Sequence, residues 1–185
     1  MEFNPKEGKI ISNEKALKKI YEVISADPKS DFAKHAFLKI LKLLPPIPNV
    51  PGTDIFVELL QKSVSVVVDL VLIRQNKGVY LTPRDDKYFG RGWHFPGGLR
   101  APGASVIADC ERIAKRELGS GIHISSAKII GTEDHHKSPR NHDVTLIVLC
   151  EFKGELEGGE WFKEEPKDII DYHKAYWPMI ASYLS

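Results

Sequence analysis

The spacing of apolar and polar residues divides the chain into a helical front, a strand-rich middle and a helical end. Ala16, Ile20, Tyr21, Val23 and Ile24 recur at helical spacing behind Ser12 or Asn13, either of which can cap a helix. A second helix starts at Ser30 or Asp31 and carries Phe32, Ala36, Phe37, Ile40, Leu41 and Leu44 as its stripe. Pro45 and Pro46 end it, because proline cannot continue the hydrogen-bond ladder. PPIPNVPG, residues 45–52, reads as a connector between a helical extension (1–52) and a main domain (53–185). DIFVELLQ, residues 54–61, fits helix and strand equally. SVSVVVDLVLIR then has apolar residues on both faces, as a buried central strand does. QNKG supplies a turn, GVYLTPR a second strand ending at Arg84, and DDKYFGRG a polar loop.

The next stretch organises the rest: GWHFPGGLRAPGASVIADCERIAKRELG, Gly92 to Gly119. An aromatic strand end stops at Pro96, Gly97 and Gly98 follow, and after a loop an amphipathic helix begins behind Ser105. Val106, Cys110, Ile113 and Leu118 line one side of that helix. A glycine pair frees the backbone for a sharp bend or a close approach, and a loop running into a helix N-terminus is a ready anion site. Downstream, KIIGTE alternates as a strand, EDHHKSPRNHD (133–143) is a polar loop, and VTLIVLCEF is another buried strand. GEWF is a short strand, and a terminal helix over roughly 168–184 carries Tyr172, Tyr176, Trp177 and Ile180. Strands around one central helix, with another at the end, imply a layered α/β architecture with a mixed sheet.

Composition narrows the function classes. A formal net charge of +1 gives no global field for nucleic acid or a membrane surface. The longest apolar run, around Val66–Ile73, is too short to span a bilayer and contains Asp69. MEFNPKEGK has no apolar core of a secretory signal, and Cys110 and Cys150 both fall at apolar positions. Buried free thiols in a reducing cytoplasm are therefore expected. The helical extension can be a lid, a homodimer surface or simply a packed appendage.

Several side chains could carry chemistry. An unpaired Asp69 inside a buried strand would cost several kcal/mol, so it must be paired or face a polar cavity. Glu117 sits at the edge of the helix's apolar stripe, where it either reaches solvent or faces a metal or substrate. Arg112 and Arg116, one turn apart, repel each other unless anions lie nearby. Arg84, Arg91, Arg100 and Arg140 fall in or beside the loops around the glycine turn, and arginine suits phosphate because its planar fork binds bidentately. His135, His136 and His142 match no strong zinc spacing, but one of them could serve as a base.

Those residues carry a resemblance. The opening stretch resembles the Nudix box, G-x5-E-x7-R-E-U-x-E-E-x-G-U, with U a bulky apolar residue. With Gly98 at the box glycine, Arg112 takes the box arginine and Glu117 the last glutamate. Ala104, Ile113 and Arg116 stand where the other glutamates would be, and Gly119 is read as one residue early. WHFPGG, CERI and RELG are similar in spacing to the GDP-mannose mannosyl hydrolase branch. SVSVVVDLVL resembles the strand that bears that branch's functional aspartate, at Asp69, and LTPR the segment bearing its substrate arginine, at Arg84. WFKEEPKDII and YHKAYW resemble its closing strand and helix, so the likeness covers about 54–185.

The resemblance implies a Nudix α/β/α sandwich with Mg²⁺, or Mn²⁺, held by Glu117 and the Gly98 carbonyl, and with Gly97 and Arg112 shaping the box. Asp69, Arg84 and a histidine would be catalytic: an ungapped match puts Thr145 at that branch's base position, so the base is His142, three residues earlier, if the loop shifts, with His135 or His136 as the alternatives. Asp69, Arg84 and Arg100 would bind a nucleoside diphosphate-sugar. With three box glutamates gone, a several-metal site is hard to build, which favours C–O cleavage of a nucleotide sugar over P–O cleavage. The alternatives are a pyrophosphohydrolase acting on another nucleoside diphosphate derivative and a nucleotide-binding module without catalysis.

Overall fold

The computed structural model describes residues 2–4, 9–11, 22, 24–43 and 53–184. The chain divides into two compact units, Met1–Pro45 and Pro46–Ser185. In the first, β1 (Glu2–Asn4) and β2 (Lys9–Ile11) pair antiparallel, with Phe3 opposite Ile10. Three-residue strands are too short to show a period, so this ribbon was not legible beside the helical pattern. The helix expected from Ala16 to Ile24 falls mostly outside the described residues. The second helix is α1 (Asp31–Leu43), and Ser30 caps it by accepting the Ala33 N–H at 3.2 Å.

In the second unit the ambiguous DIFVELLQ is a helix, α2 (Thr53–Leu60). There follow β3 (Ser65–Arg74), β4 (Gly78–Asp86), β5 (Gly90–His94), β6 (Gly97–Leu99), α3 (Val106–Leu118), β7 (His123–His135), β8 (Asp143–Lys153), β9 (Glu160–Phe162), α4 (Asp171–Lys174) and α5 (Tyr176–Leu184). Seven strands form one mixed sheet in the order β5-β4-β3-β8-β7, with β6 on β3 and β9 on β4. β3 and β8 are parallel, and every other pairing in this sheet is antiparallel. Two predicted features differ. The glycine pair is a strand and not a loop, and the terminal helix breaks at Ala175 into α4 and α5.

Side-chain alternation along β3 builds the sandwich. Val68, Leu70 and Leu72 face Cys110, Ile113, Ala114 and Leu118 of α3, all fully buried. Val71 faces the opposite way, into a core with Val79, Leu81, Phe95, Ile147, Tyr176 and Ile180, so α5 covers that face. Each fully buried Leu or Ile contributes roughly 1.5–3 kcal/mol. Asp69 lies on the α5 side by the same alternation, between Val67 and Val71. Cys110 and Cys150 are buried free thiols in the α3 core.

The sheet splits along β3. β4 pairs with it only at Ile73–Val79 and Arg74–Gly78, while β6 takes the same edge at Val67–Leu99, Val68–Gly98 and Asp69–Gly97. A cleft opens between the diverging strands.

The link from β6 to α3 is fixed by a carboxylate that sequence reasoning passed over. Asp109 is fully buried. It accepts the Ala101 N–H at 3.0 Å, Arg100 Nε at 3.1 Å and an Arg112 Nη2 N–H at 2.8 Å. Arg100 also donates to the Ala104 carbonyl and Arg112 to the Leu99 carbonyl, each at 2.6 Å. Burial pushes the Asp109 carboxyl up, but the two guanidinium groups and the amide outweigh it and hold it below its ordinary range. Ser105 caps α3 by accepting the Ala108 N–H, and Gly119 ends it at φ +114°, a conformation that favours glycine. Asp109→Ala strands both arginines and should cost about 3 kcal/mol in the urea-unfolding free energy. Asp109→Asn, which keeps an acceptor, should cost less.

Candidate functional site

The cleft has a volume of about 290 Å³ and is lined from both branches of the split sheet, the last turn of α3, the β7–β8 ends and α4–α5. Its floor is built by the glycine pair. Hydrogen bonds from Leu70 N–H to the Pro96 carbonyl and from Arg100 N–H to the Val66 carbonyl flank the β3–β6 pairing. By antiparallel alternation Gly98 and Val68 exchange bonds within the ladder, whereas Gly97 turns its peptide groups outward. The Gly97 N–H accordingly donates to Glu117 Oε2 at 3.1 Å, and the Gly97 carbonyl accepts from Arg116 Nη2 at 3.1 Å.

Each glycine makes room for one charged side chain. A Cβ at Gly97 would stand 1.9 Å from Asp69 Oδ1, and one at Gly98 would stand 2.7 Å from Arg116 Nη2. Arg116 Nη2 also donates to Glu117 Oε1 at 2.6 Å. Burial pushes the Glu117 carboxyl up against the opposing pull of Arg116.

Asp69 is buried and its charge is met from the α4–α5 side. Tyr176 donates its hydroxyl to Asp69 Oδ2 at 2.9 Å, and His173 Nε2 lies 3.1 Å from the same oxygen. The Phe95 N–H donates to His173 Nδ1 at 3.0 Å, so Nε2 carries the ring proton and donates to Asp69. Since the Tyr176 proton goes to the carboxylate, its oxygen accepts from His135 Nε2 at 3.2 Å. That leaves His135 Nδ1 as the ring's acceptor. Burial and Asp69 together push the Tyr176 hydroxyl far up, so it stays protonated. His135 also faces Asp143 across β7 and β8. Burial raises the Asp143 carboxyl despite a 3.0 Å hydrogen bond from Thr145.

A cationic wall stands at the mouth. Phe89 lies under the Arg84 guanidinium at 4.3 Å and near that of Arg140 at 5.8 Å. Arg84 also pairs with Asp86, whose other oxygen accepts the Tyr88 and Phe89 N–H groups and fixes the turn. Burial, then the neighbouring Arg84 charge, pulls the Arg140 pKa down. The Ser138 hydroxyl, shielded from water and without a hydrogen-bond partner among the described residues, lines the same space.

The structure thus brings Asp69, Arg84, Gly97, Gly98 and Glu117 to one cleft. It does not bring His142 or Arg100 there. His142 Nε2 pairs with Asp134 at 2.8 Å outside the cleft, because alternation along β7 turns His135 inward and Asp134 outward. Arg100 is held by Asp109 and Ala104. Arg112 is held by Asp109 and the Leu99 carbonyl, outside the cleft lining. The cleft is lined by the last turn of α3 and not by its N-terminus, where the sequence pointed to an anion site; at that last turn Arg116 and Glu117 meet Gly97. Asp143, His173 and Tyr176 were missed as site residues, while Arg140, singled out among the loop arginines, lines the cleft. The paired register of the strands enclosing the histidine loop was the available signal for Asp143.

This split mixed sheet between helices is the α/β/α sandwich expected from the sequence. The NUDIX domain model matches residues 64–181, and the chain belongs to that family. The MutT Nudix hydrolase of Burkholderia pseudomallei is 21% identical with a TM-score of 0.56, over 64% of this chain and 98% of its own. The MutT protein of Methanosarcina mazei Go1 is 12% identical with a TM-score of 0.51, over 65% of this chain and 94% of its own. At such identities the likeness shows the fold. No curated protein matches the chain in sequence. Counted from Gly98, Gly119 falls on the closing glycine of the Nudix box with no offset.

Nudix hydrolases generally use a divalent cation such as Mg²⁺ or Mn²⁺. Such an ion needs about six oxygen ligands. Here Glu117 Oε1 and the Gly97 carbonyl both accept from Arg116, and the Gly98 carbonyl is turned into the β3–β6 ladder. No group of three His, Cys, Asp or Glu among the described residues is arranged to hold a metal. The residues present do not fit the ion.

His94 gives the site a pH limit. Burial, then the neighbouring His173 and Arg84, lowers its pKa to about 4, and Thr82 bonds its ring at 3.1 Å. The unfolded chain takes up this proton near pH 6.5 and the folded chain only near 4, so the contribution is whole above 6.5 and lost as pH falls toward 4. His94→Gln should flatten the melting-temperature slope in that window, removing a pH-dependent term on the order of 3 kcal/mol.

Proposed function

We propose that the protein hydrolyses a nucleoside diphosphate-sugar, releasing sugar and nucleoside diphosphate. One observation supports this above the others. Arg84 and Arg140 converge on Phe89 at the mouth of a cleft with carboxylates at its floor, and two adjacent guanidinium groups call for an anionic ligand. A diphosphate bound there points its sugar toward His135 and Asp143.

In this reading, water attacks the anomeric carbon. Its proton passes to His135 Nδ1, and Asp143 stabilises the imidazolium. The bond from the anomeric carbon to the phosphate oxygen breaks, and its electron pair leaves with the nucleoside diphosphate, met by Arg84 and Arg140. Asp69 acts as a positioning residue: it accepts the Tyr176 hydroxyl hydrogen bond, which leaves the Tyr176 oxygen to accept from His135 Nε2 and thereby fixes the His135 tautomer. The protein's own residues complete each of these steps.

Incubation with GDP-mannose and a panel of nucleotide derivatives, followed by product identification, tests the reading. Free sugar with nucleoside diphosphate is expected. Nucleoside monophosphate with sugar phosphate would instead show the pyrophosphohydrolase alternative. The loss of three box glutamates favours a binding module as second reading, and no turnover despite measurable binding would establish it. His135→Asn should lower kcat by at least about 100-fold, the scale of a lost general base, while His142→Asn leaves it within about twofold. Arg140→Ala should raise KM by about tenfold or more.

A further inference from the structure

We propose that Arg116 is the resident cation of the diphosphate site, so that the protein binds pyrophosphate groups without a divalent metal. This rests on the reading of the cleft as a diphosphate site. A guanidinium has five N–H donors. Arg116 spends the two on Nη2 on the Gly97 carbonyl and Glu117 Oε1, which leaves Nη1 and Nε for a ligand. Its side chain is half-exposed at the cleft wall, whereas its two anchors are fixed by β6 and the last turn of α3. Glu117 thus serves as the counter-charge that holds a cation in place, and the absence of a Cβ at Gly98 leaves space for that guanidinium. Arg84 and Arg140 line the same cavity, so its wall carries three guanidinium groups. The set is permanently charged and planar, suited to bidentate phosphate recognition.

The full chain tests this in two titrations. Mn²⁺ alone, followed by the electron paramagnetic resonance of the free ion, should show no stoichiometric site on the wild type at micromolar concentrations. Pyrophosphate titrated calorimetrically in EDTA should bind. Arg116→Gln should weaken that binding at least tenfold, and Gly98→Ala, which displaces the guanidinium without removing it, should act in the same direction. Arg116→Glu should bind Mn²⁺ where the wild type does not. Thermal melts accompany each variant, and the wild-type titrations stand whether or not a variant folds. A stoichiometric Mn²⁺ site on the wild type, no pyrophosphate binding in EDTA, or undiminished binding by folded Arg116→Gln would each overturn the proposal. Failure of nucleotide-sugar hydrolysis with pyrophosphate binding intact would overturn the hydrolase reading and leave this one standing.

Discussion

The buried charge of Asp69 is the constraint on which the rest of the site depends. A carboxylate in the middle of an otherwise apolar strand is tolerable only if donors surround it. β3 cannot supply them, since its own amides are used in pairing with β6 and β8. They come from 104 and 107 positions further along the chain, from His173 and Tyr176, and α4 and α5 must therefore dock on that face. The helix breaks at Ala175, where Pro178 has no N–H to donate to the Lys174 carbonyl and its ring crowds that carbonyl, so His173 lies on α4 and Tyr176 on α5.

The demand extends to the opposite strand. Asp69 and Gly97 are a non-bonded pair, the closer of the two antiparallel spacings, and Oδ1 fills the space a Cβ would take. The same pairing turns the Gly97 amide and carbonyl toward α3, where Glu117 and Arg116 meet them. One register therefore couples the Asp69 network on one face of the sheet to the Arg116–Glu117 pair on the other.

The α/β sandwich, the central strand and the capped helix were legible because their apolar periods are long and unbroken. The Nudix box was legible because its spacing is local. What the sequence hid was whatever depends on contacts between distant segments. Gly97 and Gly98 read as a loop because glycine signals backbone freedom, yet they form a strand because β4 leaves the β3 edge vacant. His142 was the histidine nearest the strand in sequence, but inward and outward alternation, set by pairing with β8, brings His135 to the cleft instead. Arg100 looked like a phosphate ligand until Asp109, a residue on an apparently wet part of the helix, proved fully buried and paired with it. A lone helical Asp carries no sequence mark of burial; only the tight path of the loop over α3 creates it.

The lost box glutamates are consistent with one another once charge is counted at the site. Putting a guanidinium where a carboxylate would stand changes the local charge by two units, the charge of a divalent ion. Arg116 meets the Glu117 carboxylate directly, at 2.6 Å. Ile113, at another box glutamate, joins the fully buried α3 core and contributes packing in place of charge. Ala104 gives up a carboxylate that Arg112 does not lack, because Asp109 supplies one from within the helix. On the proposal that Arg116 is the cation of the site, one departure stands in for the ion, one fills the core, and one is compensated from a neighbouring turn. What remains is a site whose positive charge is covalently part of the chain and is positioned by the same strand register that buries Asp69.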